Sequence, residues 1–147
     1  MTMRAAILLT LTFAVLPASS PLHATEQPSS QLPTEAKAQV DDFFLFLKKN
    51  QPEEAIDNIL RSSPLWSNRI GVKEQLLAQV EAGLKIYGPV KTIEMMSSES
   101  KGTMLVRQYW FAQHDNMVTR WEFDFVRTAN GWQIGYFGFN DQLTTWF

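Results

Sequence analysis

The spacing of apolar residues changes at Gly88–Pro89, and this change limits the fold more than any other feature of the sequence. Before it, apolar residues recur every three or four positions, which is the period of an amphipathic helix. After it, apolar and polar residues alternate, which is typical of strands with one buried face. The sequence therefore predicts an α+β domain in which three N-terminal helices pack on one face of a four-stranded antiparallel sheet.

Three helical segments are predicted before the change of period. The first begins at Glu35, where apolar residues start to recur at helical spacing. The second is opened by Asn50 as its N-cap, with Pro52 in the first turn, where a missing N–H costs no hydrogen bond. The third begins at Val72 and ends at the glycine–proline pair. Residues 61–71 are predicted as the loop between the second and third helices.

Four strands are predicted after the change of period, at residues 89–97, 103–112, 117–127 and 132–140. The last two form a hairpin, and a one-residue slip of its register would move every side chain to the other face. A two-residue turn at Asn130–Gly131 would mix charged and aromatic side chains on one face. A three-residue loop, 129–131 with Gly131 in the left-handed conformation, separates them. We therefore predict the pairs Trp121–Phe139, Phe123–Phe137 and Val126–Ile134.

The register of the preceding pair of strands stays open in the sequence. One register places Arg107 opposite Asp124, where the two would form an ion pair on the polar face. The other places Arg107 opposite Phe123, where the guanidinium would lie among aromatic rings.

Both faces of the last two strands carry large apolar side chains, although three helices can cover only one face. The predicted register puts Arg120, Glu122 and Asp124 on the second face together with Trp132, Ile134 and Tyr136. A monomer would leave one set in water, a larger apolar patch than soluble monomers usually expose. We therefore expect a symmetric homodimer through the second face, with Trp132 and Tyr136 in the interface and Arg120 in its polar rim.

The first 24 residues have the layout of a secretory signal peptide. Arg4 gives a positive start, Ala5–Val15 is an apolar run too short to span a bilayer, and Pro17 interrupts it. A small-residue cleavage site follows at Ala24. We expect a periplasmic or secreted protein, with a flexible leader at 25–34 and a single domain at 35–147.

The composition supports a soluble exported domain without disulfides. The sequence contains no cysteine, so neither a disulfide framework nor a lipidated cysteine is available. Without the signal peptide, 12 basic residues stand against 15 acidic ones, a formal charge of −3. That charge gives no basic patch for nucleic acid or for an anionic membrane.

The layout resembles the nuclear-transport-factor-two-like superfamily, a cone-shaped α+β fold. The resemblance covers Glu35 to Asp141 and rests on the order of elements, on "YGPV" at Tyr87–Val90 and on "NGWQI" at Asn130–Ile134. It implies a curved sheet that leaves a cavity beneath the helices, and dimers that use the outer sheet face. Enzymes of the superfamily place an aspartate or histidine base in the cavity, but no motif here matches such a base. A fold of this kind does not by itself fix a function.

The candidate site residues follow from these expectations. The ligand-binding candidates, which would line the cavity, are Trp121, Phe123, Phe137, Phe139 and Trp66. An enzyme would instead use Asp124 or Glu122 with Arg107 and Tyr109, since paired carboxylates can serve as acid and base. We expect His114, beside Asp115, to lie in a surface turn. One histidine and no cysteine cannot form the usual zinc ligand set after cleavage, and we expect neither metal nor cofactor.

Three functions therefore remain open, and we favour the first. It is an exported, non-enzymatic binding domain for a small apolar ligand or a protein partner. The alternatives are a cavity-based isomerase, hydratase or hydrolase, and a structural accessory domain that acts only through dimerisation.

Overall fold

The described part of the chain follows the predicted order of helices and strands. The computed structural model describes residue 32, residues 34–67 and residues 69–146. Its elements are α1 (Thr34–Lys48), α2 (Pro52–Arg61), α3 (Pro64–Ser67), α4 (Val72–Tyr87), β1 (Thr92–Lys101), β2 (Leu105–Gln113), β3 (Val118–Thr128), β4 (Gly131–Asn140) and a short 3-10 helix (Leu143–Thr145). The α+β class is confirmed. The predicted signal peptide, most of the predicted leader, and Phe147 lie outside the described residues.

The four strands form one antiparallel sheet in the order β1-β2-β3-β4. The helices cover one face of it, which we call the inner face. On β2 and β3 the buried residues alternate strictly with exposed or half-buried ones. This alternation assigns every second side chain of these strands to the inner face.

The end of α1 differs from the prediction that Asn50 caps the next helix. Asn50 has a φ of 56°, in the left-handed region. Its N–H donates to the carbonyl of Leu47 at 3.0 Å, and the N–H of Gln51 donates to the carbonyl of Phe46 at 2.9 Å. This pair of bonds is the usual way in which a left-handed residue ends a helix. Asn50 therefore terminates α1, and Gln51 precedes Pro52 of α2 without a side-chain cap.

The segment predicted as a loop contains the single-turn helix α3, which holds Trp66 against the sheet. The indole Nε1 of Trp66 donates to the carbonyl of Ile134 at 2.9 Å, and both groups are buried. Its ring meets that of Phe137 edge to face, with 6.1 Å between the centroids. Because β4 is an edge strand, its outward carbonyls have no further strand to donate to them. The indole of Trp66 satisfies the carbonyl of Ile134 in place of such a strand.

Aromatic rings from α1 fill the inner face. Phe43 meets Trp121, Phe123 and Phe137 at centroid distances of 5.1, 5.6 and 5.9 Å, each edge to face. The next residue, Phe44, lies 5.8 Å from Trp121 and 5.8 Å from Phe123. Edge-to-face contact is the preferred arrangement of such rings. The core therefore lies between α1 and the middle of β3 and β4.

The β3–β4 hairpin has the predicted register at the end far from its loop. Trp121 pairs with Phe139 and Phe123 with Phe137, and each pair of rings is stacked. The register that was predicted from the separation of aromatic and charged side chains is therefore confirmed for these residues.

A β-bulge changes the register nearer the loop. Phe125 pairs with Ile134, so the predicted pairing of Val126 with Ile134 is wrong, and the extra residue on β4 is Gly135. The loop has two residues, 129 and 130, instead of the predicted three. Gly131 follows it with a φ of 104°, which confirms the predicted positive value.

The same bulge changes which face the end of β4 presents. Ile134 is fully buried, and Trp132 is half-buried against the core. The expectation that both share the outer face with Tyr136 is therefore wrong, because Gly135 inverts the alternation. Tyr136 itself remains on the outer face, with half of its surface exposed.

The segment after β4 folds back over the sheet. The indole Nε1 of Trp146 donates to Oδ1 of Asn140 at 2.7 Å, and its ring lies 5.4 Å from that of Phe111. The phenol of Tyr87 donates to Oδ2 of Asp141 at 2.6 Å, and this hydrogen bond raises the pKa of Tyr87 above its ordinary value. The segment is thus tied both to the sheet and to the end of α4.

Within the ranges described, the helices include none with the length and apolar content needed to cross a membrane.

Substitution of Gly131 tests the hairpin. A Cβ added there would meet no atom within 4 Å, so the cost of Gly131→Ala comes only from the positive φ. We expect it to lower the free energy of unfolding by about 1 kcal/mol. Chemical denaturation would measure this, with the exposed neighbour Asn130→Ala as a control of small effect. A loss no greater than that of the control would contradict the assigned conformation.

Candidate functional site

The outer face of the sheet, opposite the helices, brings together most of the charged site candidates. Its members on β2 and β3 are Leu105, Arg107, Tyr109, Phe111, Arg120, Glu122, Asp124 and Val126. On β4 they are Tyr136, Gly138 and Asn140, which pair with Asp124, Glu122 and Arg120. The alternation of β2 and β3 thus places on one surface residues that are far apart in the sequence.

The structure resolves the alternative for Arg107 in favour of the ion pair. Arg107 is directly opposite Asp124. Its Nε donates to Oδ1 at 2.7 Å and its Nη2 donates to Oδ2 at 2.8 Å, while Nε also lies 3.0 Å from Oε1 of Glu122. The hydrogen bonds that Arg107 donates to Asp124 are the main cause that raises the pKa of Arg107 above its already high value.

This arrangement limits what the two carboxylates can do. Both oxygens of Asp124 accept hydrogen bonds from Arg107, in the two-bond geometry that a guanidinium prefers. Glu122 shares the same cation. Each carboxylate thus acts as a counter-ion of Arg107, and the ion pair forms a fixed, polar patch in the centre of the outer face.

An open pocket of about 440 Å³ lies beside this ion pair. Arg107 and Asp124 form its polar part, and Leu65, Leu105, Val126 and Tyr136 form much of its apolar wall. Glu99 and Lys101 of β1 also line it. Its volume is within the usual range for small-molecule sites, which are mostly apolar with a few fixed polar groups.

The bulge in β4 contributes to the shape of this pocket. Gly135, the extra residue, is part of the lining. A Cβ at this position would lie 3.1 Å from Cγ1 of Val126. The glycine therefore lets the backbone of β4 approach β3 closely at the pocket wall.

The five residues expected to line an inner cavity are instead packed in or against the core. Trp121, Phe123, Phe137 and Trp66 are buried, and Phe139 is half-buried against the same cluster. A cavity beside Trp121 and Phe139 measures about 10 Å³, close to the least that holds one water molecule. These side chains fill the space between sheet and helices.

A second arrangement on the outer face surrounds Arg120. Its guanidinium carbon lies 4.9 Å from the ring centre of Tyr109 and 5.8 Å from that of Trp146. Asn140 is directly opposite Arg120 in the register and accepts the hydrogen bond of Trp146. At these distances both rings attract the guanidinium.

His114 is buried, so the prediction of a surface turn is wrong for its side chain. Its Nδ1 lies 2.7 Å from the carbonyl of Gly88, which can only accept, so Nδ1 carries the proton. Its Nε2 then accepts the hydroxyl hydrogen of Thr119 at 2.9 Å, and the oxygen of that hydroxyl accepts from Nε1 of Trp121 at 2.9 Å. The ring therefore joins the end of α4 to the β2–β3 turn, and Asp115 does not orient it.

No metal site is found in the ranges that the structure describes, where no three histidine or acidic side chains are grouped to hold an ion.

Three apolar residues of the pocket wall, Leu65, Leu105 and Val126, were not predicted as site residues. Leu65 belongs to a segment predicted as a loop, and Leu105 and Val126 lacked any motif. The available signal was the stretch "WQIGYFGF". The apolar residues Trp132 and Ile134 are at even positions and Phe137 and Phe139 at odd ones, so the alternation shifts at Gly135 and indicates a bulge. Asn140 was also missed, because its role depends on the return of Trp146 over the sheet.

Comparison of the sequence with models of known protein families gives no match, and comparison with proteins of curated function gives none either.

The buried network of His114 can be tested through its central hydroxyl. Thr119→Val keeps the side-chain shape but leaves Nε1 of Trp121 and Nε2 of His114 without a partner. We expect it to lower the free energy of unfolding by at least about 2 kcal/mol. Thr119→Ser keeps the hydroxyl and should cost only about 1 kcal/mol for the lost methyl group. Equal losses in the two variants, measured by urea denaturation, would show that the network contributes little.

Proposed function

We propose that this protein is an exported, non-enzymatic domain that binds a small, mainly apolar ligand in the pocket on its outer sheet face. The observation that supports this most directly is the contrast between the two faces. The inner aromatics pack against α1 beside a cavity of about 10 Å³, whereas the outer pocket measures about 440 Å³. Buried apolar surface drives ligand binding, and the outer pocket is where such surface is accessible.

The pocket favours a ligand with an apolar body and few polar groups. Leu65 and Leu105 are each about half exposed and can lose further surface to a ligand. Arg107 and Asp124 neutralise each other, so the pair presents little net charge to a ligand, and the guanidinium keeps N–H groups that Asp124 does not use. The ion pair would therefore orient the ligand, and the leucines would supply most of the binding free energy.

Export and the superfamily resemblance belong to the same proposal. The N-terminal layout supports export, and the order of helices followed by a four-stranded meander supports the resemblance. A cone-shaped sheet remains part of this proposal. The inner face of that sheet would be filled by side chains, and its outer face would bind the ligand.

Self-association through the outer face is the second candidate, because several exposed apolar side chains border that face. Tyr136 and Leu105 are about half exposed, and Met104 is 66% exposed. A second copy would cover the pocket, so the two candidates compete for one surface.

A neutral dye can test the pocket. We expect Nile red fluorescence to show saturable binding to the mature protein, with amide shifts of Gly135 and Val126 in an NMR titration. Leu105→Glu should weaken that binding by about tenfold, since it removes apolar contact and adds a carboxylate near Asp124. Ile86→Glu is the matched control, because Ile86 is an exposed apolar residue of α4 outside the pocket. Shifts centred on Gly83 and Phe139 would place the dye on the inner face and contradict the proposal.

Light scattering tests self-association. If the outer face joins two copies, the mature protein should be a dimer at micromolar concentration, and Tyr136→Glu should yield monomers while Ile86→Glu does not. A monomeric wild type, or a dimer that persists in Tyr136→Glu, would exclude this second candidate.

A further inference from the structure

Arg120 is a half-buried cation without an ionic partner in the part of the chain that the structure describes. None of the ion pairs found there includes it. Glu122, its neighbour on the same strand face, pairs with Arg107 instead. The rings of Tyr109 and Trp146 contact the guanidinium, and no carboxylate of the described residues accepts a hydrogen bond from it.

Asn140 adds a second donor next to this guanidinium. Its Oδ1 accepts the indole hydrogen of Trp146, which fixes the orientation of the amide. The amide nitrogen, with two hydrogens, is then directed away from the indole and is available. Because Asn140 pairs with Arg120 across the strands, the two residues are neighbours on the outer face, and Trp146 contacts the side chains of both.

We propose that Arg120 and Asn140 form a binding site for the carboxylate group of a small molecule, with the rings of Tyr109 and Trp146 at its sides. A guanidinium matches a planar carboxylate with two parallel hydrogen bonds, which a lysine cannot do. The flanking rings favour an aromatic or other apolar group next to that carboxylate.

The surrounding charges favour a monoanion over a phosphate dianion. Glu122 lies two residues along β3 from Arg120, roughly 7 Å away. Glu94 lies on the other side, across Phe111 in the same row of the sheet. One cation between two carboxylates can balance a single negative charge, and a second would be repelled.

This site is separate from the pocket of the proposed function. Arg120 lies four residues along β3 from Asp124, roughly 13 Å away. None of Arg120, Asn140 and Trp146 is among the pocket-lining residues. Either site could therefore fail its test while the other stands.

Sodium benzoate is the probe for this site, in an NMR titration of the isotope-labelled mature protein. We expect saturable shifts of the Trp146 indole N–H and of the Asn140 amide group at millimolar benzoate. Arg120→Gln should weaken the affinity by at least about tenfold, and Arg120→Lys should weaken it less, because a lysine keeps the charge but loses the planar pair of bonds. Inorganic phosphate should bind more weakly than benzoate.

Arg127→Gln is the matched control, since Arg127 is an exposed arginine of the same strand and its loss changes the net charge equally. It should leave benzoate binding unchanged. If Arg120→Gln does not keep a folded spectrum, Asn140→Asp serves instead, and its added charge should abolish the shifts. The proposal is overturned if Arg120→Gln and Arg127→Gln have equal effects, or if phosphate binds as well as benzoate. It is also overturned if the Trp146 signal follows protein concentration instead of benzoate, because a carboxylate of a second copy would then occupy the site.

Discussion

The contact between α1 and the middle of the sheet determines which sheet face is filled by side chains and which stays accessible. Phe43 and Phe44 are adjacent in the sequence, yet both direct their rings into the aromatic side chains of β3. Their edge-to-face contacts remove the volume in which an inner ligand could lie. Trp66 of α3 closes the same region at the edge of β4. Accessible apolar surface therefore lies on the outer face of the sheet.

The bulge at Gly135 connects this core to the outer pocket. It allows Phe137 and Ile134, which are an odd number of residues apart, to point into the core from one strand. Tyr136 between them stays on the outer face, where its phenol lies over Gly138. The same extra residue forms part of the pocket wall. One backbone irregularity thus serves both the packing of the inner face and the shape of the outer one.

The sequence was sufficient where hydrophobic period alone decides the structure. It predicted the class, the four strands to within a few residues, and the pairing of Trp121 with Phe139. The sequence was insufficient where the structure depends on the backbone conformation of a single residue. Asn50 suits an N-cap and a left-handed helix end equally well, and only the hydrogen bonds distinguish the two. The burial of His114 depends on its contacts with Gly88 and Thr119. Gly88 is distant in the sequence, and Thr119 lies across the β2–β3 turn.

Side chains close the inner aromatic face, and the outer face is open. Hydroxyl-radical footprinting read by mass spectrometry can check this difference, because it reports the solvent contact of each side chain. We expect rapid oxidation of Tyr136 and Met104 and strong protection of Trp121 and Phe123, although all four side chains react readily when exposed. Oxidation of Trp121 and Phe123 at rates similar to that of Tyr136 would instead show a hollow, solvent-filled interior and an inner face that is open to ligands.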